Sequence, residues 1–325
     1  MMYDSHVDTP SWLLRGRDIN IDNESGHVDF PKLRRGGIDG SFFALYTPSE
    51  TAPDAATVHA LSMLSATYDA VEASRGHAAI TCTPEQARRN RDGGVFSVFL
   101  GMENASPIQN SLSLLRTFHR LGVRYITLTH NGDNDVADSA ASGTRWGGLS
   151  PFGREVVKEM NRLGVMIDLS HASDATFYDC LNLSEAPVVA THSCCRAICN
   201  HRRNLTDEML RELGKKDGYV GINFYPFFLT DSFSEDNPDS YPGVKEIADH
   251  IDRAVDLCGI NHVGIGSDFD GIEVTPKGLE DVSKISLVFE ELLRRGYTRQ
   301  QINLISGENL MAVLDRVIKC SESKN

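Results

Sequence analysis

The feature that most constrains this chain is an alternation. Short apolar runs rich in β-branched residues are separated, in most cases, by stretches with helical periodicity: "MMYDSHVD", "GIDGSFFALYTP", "GVFSVFLGME", "VRYITLTH", "VMIDLSH", "APVVATH", "GYVGINFY" and "HVGIGSDFDG". Such a repeat predicts βα units, because parallel neighbours need a crossover long enough to carry a helix. "SVFLGM" and "APVVA" are apolar without a polar alternate, as expected of strands covered on both faces. Closing eight units gives a (β/α)8 TIM barrel of the α/β class. Barrels routinely run to the length of this 325-residue chain, so a single domain over 1–325 is expected.

Helix signals stand where a barrel needs them. Ser150-Pro151 supplies an N-cap and a first-turn proline; Phe152, Val156, Met160 and Leu163 form an apolar stripe, and Gly164 stops the helix. Thr206 opens "DEMLRELGKK", with acids in the first turn and lysines in the last. "SLVFEELLRRGYTRQQINLISGENLMAVLDRVIK" reads as two or three closing helices at about 280–319. Residues 231–243, "DSFSEDNPDSYPG", are the clearest loop, and their place after the seventh strand candidate makes them a candidate lid.

Composition removes whole classes of function. With 41% hydrophobic and 24% charged residues the chain reads as an ordinary globular protein. A net charge of −13 and the lack of a basic stripe argue against a nucleic-acid partner; His201-Arg202-Arg203 is too short to be a footprint. No run of about 18 apolar residues occurs, and neither a signal-like N-terminus nor an anchor-like C-terminus is visible, so no membrane partner and a cytoplasmic location are expected. Seven scattered cysteines, an odd number, suit reduced thiols.

The strand candidates end in polar residues more often than a core would choose: His6 and Asp8, Glu103, His130, His171, His192 and Asp268. One such histidine is ordinarily a solvated cap, but a barrel gathers the C-terminal ends of its strands at one mouth. Three imidazoles and two or three carboxylates are donors for a divalent metal, zinc above all, and exceed what one ion needs. Two ions about 4 Å apart call for a shared carboxylate and activate a water between them. Glu103 is the candidate bridge.

These residues sit in longer motifs: "SHVDTP", "GMENA", "RYITLTHNGDN", "GLSPFGREVVKEMNRLGVMIDLSHAS", "APVVATHSCCRAICNHRRNLTDEML" and "HVGIGSDFDG…GLEDVSK". Through them the chain resembles, nearly end to end, the renal (membrane) dipeptidases, dinuclear zinc peptidases of the amidohydrolase superfamily. The stretch from Gly148 to Asn204 is the most specific. The resemblance implies hydrolysis of dipeptides, including those with a D-residue at the C-terminal position, by a hydroxide bridging two zinc ions. It implies His6, Asp8 and Glu103 as ligands of one zinc, and Glu103, His171 and His192 as ligands of the other. His130 would approach the substrate and stabilise the oxyanion, Arg203 would hold the substrate carboxylate, and Asp268 would shuttle the proton, with Asp270 the competing choice. A homodimer is also implied. Animal members carry a signal peptide, a lipid anchor and disulfides, none visible here, so a bacterial, intracellular form is expected, with Cys194 and Cys195 altering the pocket wall.

Other patterns fare worse. "SCCRAIC" lacks a C-x2-C pair, "DNDVAD" lacks the glycine and the twelfth-position glutamate of a calcium loop, and "GIGSDFDG" lacks a nucleotide loop's spacing. His27, His59, His77, His119, His250 and His262 carry no supporting pattern. Two alternatives remain: another amidohydrolase reaction (N-acyl amino acid, lactone or phosphoester hydrolysis) on the same site, and a silent binding barrel, which should have lost a ligand.

Overall fold

A computed structural model describes residues 1–322. Its strands are β1 (Tyr3–Val7), β2 (Gly40–Tyr46), β3 (Ala78–Ile80), β4 (Phe96–Glu103), β5 (Val123–Thr127), β6 (Met166–Asp168), β7 (Val188–Ala190), β8 (Tyr219–Ile222) and β9 (Val263–Ile265). Eight of them run β1-β2-β4-β5-β6-β7-β8-β9, all parallel. The seam between β9 and β1 is closed just past the strands: Val7 bridges Phe269, the Asp8 N–H donates to Phe269 O at 2.9 Å and the Asp268 N–H to His6 O at 3.1 Å. The result is the expected (β/α)8 barrel.

β3 is a ninth strand that the sequence pattern did not reveal. β5 pairs with β4 only from Leu100 onward, and β3 fills the edge this leaves, pairing Ala78 to Ile80 with Phe96 to Val98. Three residues are too few for a periodicity to register.

Alternate side chains on the strands build two separate cores. Phe42, Phe99, Tyr125, Met166, Val189 and Tyr219 pack with Leu310, Met311 and Leu314 near the C-terminus. The rings of Phe42 and Tyr125 meet at 5.1 Å although their strands are not neighbours, which only the concave face of a closed sheet allows. This cluster therefore fills the barrel interior. Phe43, Leu100, Ile126, Ile167 and Val220 belong to the other cluster, against the surrounding helices.

The helices follow the signals described above. In Pro151–Leu163 the Ser150 hydroxyl accepts from the Gly153 N–H, Val156 and Met160 are buried, and Gly164 ends the helix at φ 73°. Burying each such side chain contributes about 1.5–3 kcal/mol. Thr206 caps Asp207–Lys215 in the same way. The last part of the chain forms helices Ser286–Arg294, Arg299–Asn303 and Asn309–Glu322. Residues 231–243 are not a lid in this structure. They contribute no side chain to the central cavity, and Phe233 is held edge-on between Phe227, at 4.7 Å, and Tyr241, at 5.0 Å.

Candidate metal centre at the barrel mouth

Of the polar residues singled out above, only His6 and Glu103 lie within strands. Asp8, His130, His171, His192 and Asp268 follow their strands by one to three residues. The ladders stop short because the backbone turns: Asn104, His171, Asp268 and Asp270 adopt left-handed φ of 74°, 68°, 64° and 69°. Such residues cost on the order of 1–3 kcal/mol each and persist where the surrounding fold holds them. His6 and Asp8 do not converge through an unbroken strand either. The β1–β2 register slips between Asp4 and Val7, and Asp8 already has φ −95° and ψ 21°. Even so, His6 Nε2 lies 3.4 Å from Asp8 Oδ2.

Glu103 divides its two oxygens between two groups of donors. Oε2 is 3.5 Å from His6 Nε2; Oε1 is 3.1 Å from His171 Nε2 and 3.5 Å from His192 Nε2. Glu103 therefore joins His6 and Asp8 on one side to His171 and His192 on the other. His130 also brings a ring nitrogen within 4.8 Å of donor atoms of Glu103 and His171, and Asp268 brings a carboxylate oxygen within the same distance of donor atoms of His6 and Asp8.

Each of the three imidazoles is oriented from behind. His6 Nδ1 is 2.7 Å from the Tyr125 hydroxyl, His171 Nδ1 is 3.1 Å from Asn131 Oδ1, and His192 Nδ1 is 2.9 Å from the Thr191 hydroxyl. Thr191 donates its proton to Asp168 Oδ2 at 2.7 Å, so its oxygen is left to accept from His192. Asp168 is anchored by the Thr127 hydroxyl at 2.6 Å and by the Ser170 and Thr191 N–H groups at 3.1 and 2.8 Å. Asn131 Oδ1 likewise takes the His171 proton, and Tyr125 can take that of His6. For His171 and His192 this tautomer turns the Nε2 lone pairs to Glu103 and to each other, 3.1 Å apart, the arrangement of metal-binding imidazoles. Gly101 makes it possible, since a Cβ there would collide with the Tyr125 ring.

The donors fit a cation. His6 Nε2 and Asp8 Oδ1 are buried without a hydrogen-bond partner. Burial, joined by the Glu103 charge, pushes the Asp8 carboxyl well above the usual range. Burial opposes charge on His6 too, yet Glu103 and Asp8 outweigh it and hold its pKa well above the ordinary value. For Glu103, burial is overridden by His6, His171 and His192, which hold its carboxyl well below the usual range. A cluster that draws positive charge in this way suits divalent metal.

The family model described as membrane dipeptidase (peptidase family M19) matches residues 1–325. The chain belongs to the membrane dipeptidase family. Dipeptidase aclJ of Aspergillus oryzae is 36% identical, covering 97% of this chain and 77% of the relative. Dipeptidase verJ of Clonostachys rogersoniana is 37% identical, covering 98% and 85%. A solved metallopeptidase from Rhodobacter sphaeroides, liganded with a phosphinate mimic of the dipeptide L-Ala-D-Ala, superposes with a TM-score of 0.89 at 31% identity, covering 97% of this chain and 99% of that one. As a member of this family the protein is a metallo-dipeptidase, a hydrolase that uses a metal cofactor.

The donors of this dipeptidase open into a cavity of about 710 Å³. Arg203 lines it, 6% exposed; one nitrogen donates to His192 O at 3.3 Å, its Nε has no partner, and burial lowers its pKa to about 10. The His130 ring stands 4.4 Å from that of His171 and edge-on to Tyr46 at 4.7 Å. The two acids of "SDFDG" have different surroundings. Asp270 accepts from Arg17 at 2.7 Å, the His27 N–H at 2.9 Å and the Thr9 hydroxyl at 2.9 Å. Asp268 uses Oδ2 to accept from Asn223 at 2.8 Å, while Oδ1 faces His6 Nε2 at 4.0 Å. A Cβ on Gly271 would collide with Asp8 and approach Asp268 Oδ1 to 2.7 Å, so the space between these acids depends on a glycine.

Tyr125, Asn131, Asp168 and Thr191 were not visible as site residues in the sequence, and neither was His27, which lines the cavity and accepts from the Asp270 N–H at 2.9 Å. Cys194 and Cys195 do not form part of the wall. Both are buried, Cys194 Sγ on Asn223 O at 3.2 Å and Cys195 Sγ on His250 O at 3.4 Å.

Proposed function

We propose that this chain hydrolyses free dipeptides with two zinc ions, one held by His6, Asp8 and Glu103 and the other by Glu103, His171 and His192. The observation that carries the reading is the division of Glu103's oxygens between the two donor groups. Bound there, the pair would supply a water nucleophile ionised near neutral pH and polarise the scissile carbonyl.

The protein's own groups do the rest. Arg203, a buried guanidinium that forms no ion pair among the described residues, pairs with the C-terminal carboxylate of the substrate and fixes the scissile bond over Glu103. His130 stands beside His171 and donates to the oxyanion as the carbonyl becomes tetrahedral. Asp268, held through Oδ2 by Asn223, takes the nucleophile's proton on Oδ1 and passes it to the departing amine. Asp270, with both oxygens committed, does not compete for this role. Arg203 also favours dipeptides over neutral lactones, which would leave it unpaired in a buried site. The Rhodobacter relative's L-Ala-D-Ala mimic supports acceptance of a D-residue at the C-terminal position.

We read residues 1–325 as one catalytic domain, active as a homodimer in the cytoplasm. Five of its cysteines, Cys180, Cys194, Cys195, Cys199 and Cys258, are buried thiols, which supports a reducing compartment. No helix among the described residues is long and apolar enough to cross a membrane.

Metal analysis and a dipeptide panel test the proposal. Protein purified without added zinc is expected to hold close to two ions per chain, to lose hydrolysis on chelation and to regain it with zinc. L-Xaa-L-Xaa and L-Xaa-D-Xaa substrates are expected to be cleaved, and C-terminal amides hardly at all. One ion per chain, or equal rates on blocked and free substrates, would count against it. The Thr191 relay makes a further prediction: Thr191→Val weakens zinc affinity about 10- to 100-fold, while Thr191→Ser retains it, by competition with a chromogenic chelator. Equal affinity in Thr191→Val would remove the hydroxyl from the metal site's support.

A further inference from the structure

Arg203 is not the only cation in the cavity. Arg15 and Arg17 line it too, just past the helix Thr9–Leu13 that follows Asp8. The two arginines are held alike but used differently. Their N–H groups both donate to Trp12 O, at 3.1 and 3.0 Å, and both guanidinium groups lie over the Trp12 indole, at 4.7 and 4.3 Å. Trp12 is itself fixed, its Nε1 donating to Asp270 O at 2.8 Å. Arg17 is neutralised by Asp270 at 2.7 Å, whereas Arg15 forms no ion pair among the described residues.

From this geometry, and resting on the dipeptidase reading above, we propose that Trp12 and Arg15 form the subsite for the side chain of the substrate's N-terminal residue, and that they select a carboxylate-bearing one. The substrate's direction follows from Arg203. With the C-terminal carboxylate on Arg203 and the scissile bond over Glu103, the N-terminal residue is directed to the part of the cavity lined by Trp12 and Arg15. A cavity of about 710 Å³ gives it room, being of a size that holds drug-like ligands rather than the smallest dipeptides. The charges at this wall complete the argument. Every dipeptide carries an α-ammonium, and Asp268 and Glu273, which both line the cavity, are acids that can receive it. Arg15 has no counterpart in a dipeptide with neutral side chains. An N-terminal Glu or Asp supplies one, its carboxylate pairing with the Arg15 guanidinium that Trp12 holds in place.

The test compares Glu-Ala, Gln-Ala and Lys-Ala on the zinc-loaded enzyme, at low and high salt. Because Arg15 is exposed, the expected preference for Glu-Ala over Gln-Ala is modest, about 3- to 10-fold in kcat/KM, carried by KM and reduced by salt. Arg15→Gln is expected to bring the Glu-Ala to Gln-Ala ratio to about one, Arg15→Lys to keep most of it, and Arg15→Glu to shift preference towards Lys-Ala. Each ratio is measured within one variant, so a change in folded fraction cancels. Hydrolysis of Gln-Ala as fast as Glu-Ala, a wild-type preference for Lys-Ala, or a ratio unchanged in Arg15→Gln overturns the subsite and leaves the dipeptidase reading intact. Hydrolysis of none of the three overturns that reading, and the subsite with it.

Discussion

Glu103→Gln is expected to abolish measurable dipeptide hydrolysis, lowering kcat/KM by more than about 10³-fold, and to reduce zinc content well below two per chain. The magnitude follows from position. Loss of a group that merely supports a ligand typically costs 10- to 100-fold in metal affinity or activity, and Glu103 is itself the group that both donor sets share. Glutamine preserves the volume but exchanges one oxygen for an NH2 donor, so one donor set meets hydrogens where it needs a lone pair. The side chain also loses the charge that balances His6 inside the barrel. Zinc analysis and kinetics on the same sample check both halves. A Glu103→Gln enzyme that kept two ions and wild-type turnover would mean that the carboxylate does not bridge.

The barrel was legible because its signal is repeated. Eight apolar runs punctuated by caps such as Ser150 and Thr206 say the same thing many times, and a parallel closed sheet is the arrangement that covers both faces of every run. β3 escaped because its three residues only fill an edge left by the late start of β5. The candidate donors could be read from the recurrence of His and acids near strand ends, yet the reason they converge could not. The slip in β1 and the left-handed backbone at His171 and Asp268 re-aim side chains that a straight strand would direct elsewhere. The groups behind the imidazoles were hidden for a different reason. Tyr125 is a mid-strand aromatic that looks like core, and most of its ring is core; only its hydroxyl reaches His6. Asp268 and Asp270 share a motif and a left-handed backbone, and only their partners, Asn223 for one and Arg17, His27 and Thr9 for the other, distinguish them.

Arg203→Met is expected to separate binding from stability. In the free enzyme a charged guanidinium is buried beside the donor cluster with one backbone hydrogen bond, and burial, only partly offset by Asp268 and Glu103, lowers its pKa to about 10. That still leaves it cationic at neutral pH, so the fold carries a buried charge that Asp268 and Glu103 offset only without direct pairing until a substrate carboxylate arrives. Methionine of similar reach removes that cost, and the thermal midpoint of the variant is expected to hold or to rise by a few degrees. Catalysis should move the other way. Losing one partner of a buried charge pair costs about 2–5 kcal/mol, which is roughly 30- to 5,000-fold in kcat/KM on free dipeptides. C-terminal amides, which offer no carboxylate, should be slow on both enzymes and nearly indifferent to the substitution. Thermal unfolding of the zinc-loaded variant, with kinetics on a matched acid and amide pair, reads all of this in one preparation. Equal losses on the acid and the amide, or a large drop in the midpoint, would assign Arg203 to the architecture of the mouth and free the substrate carboxylate for another partner.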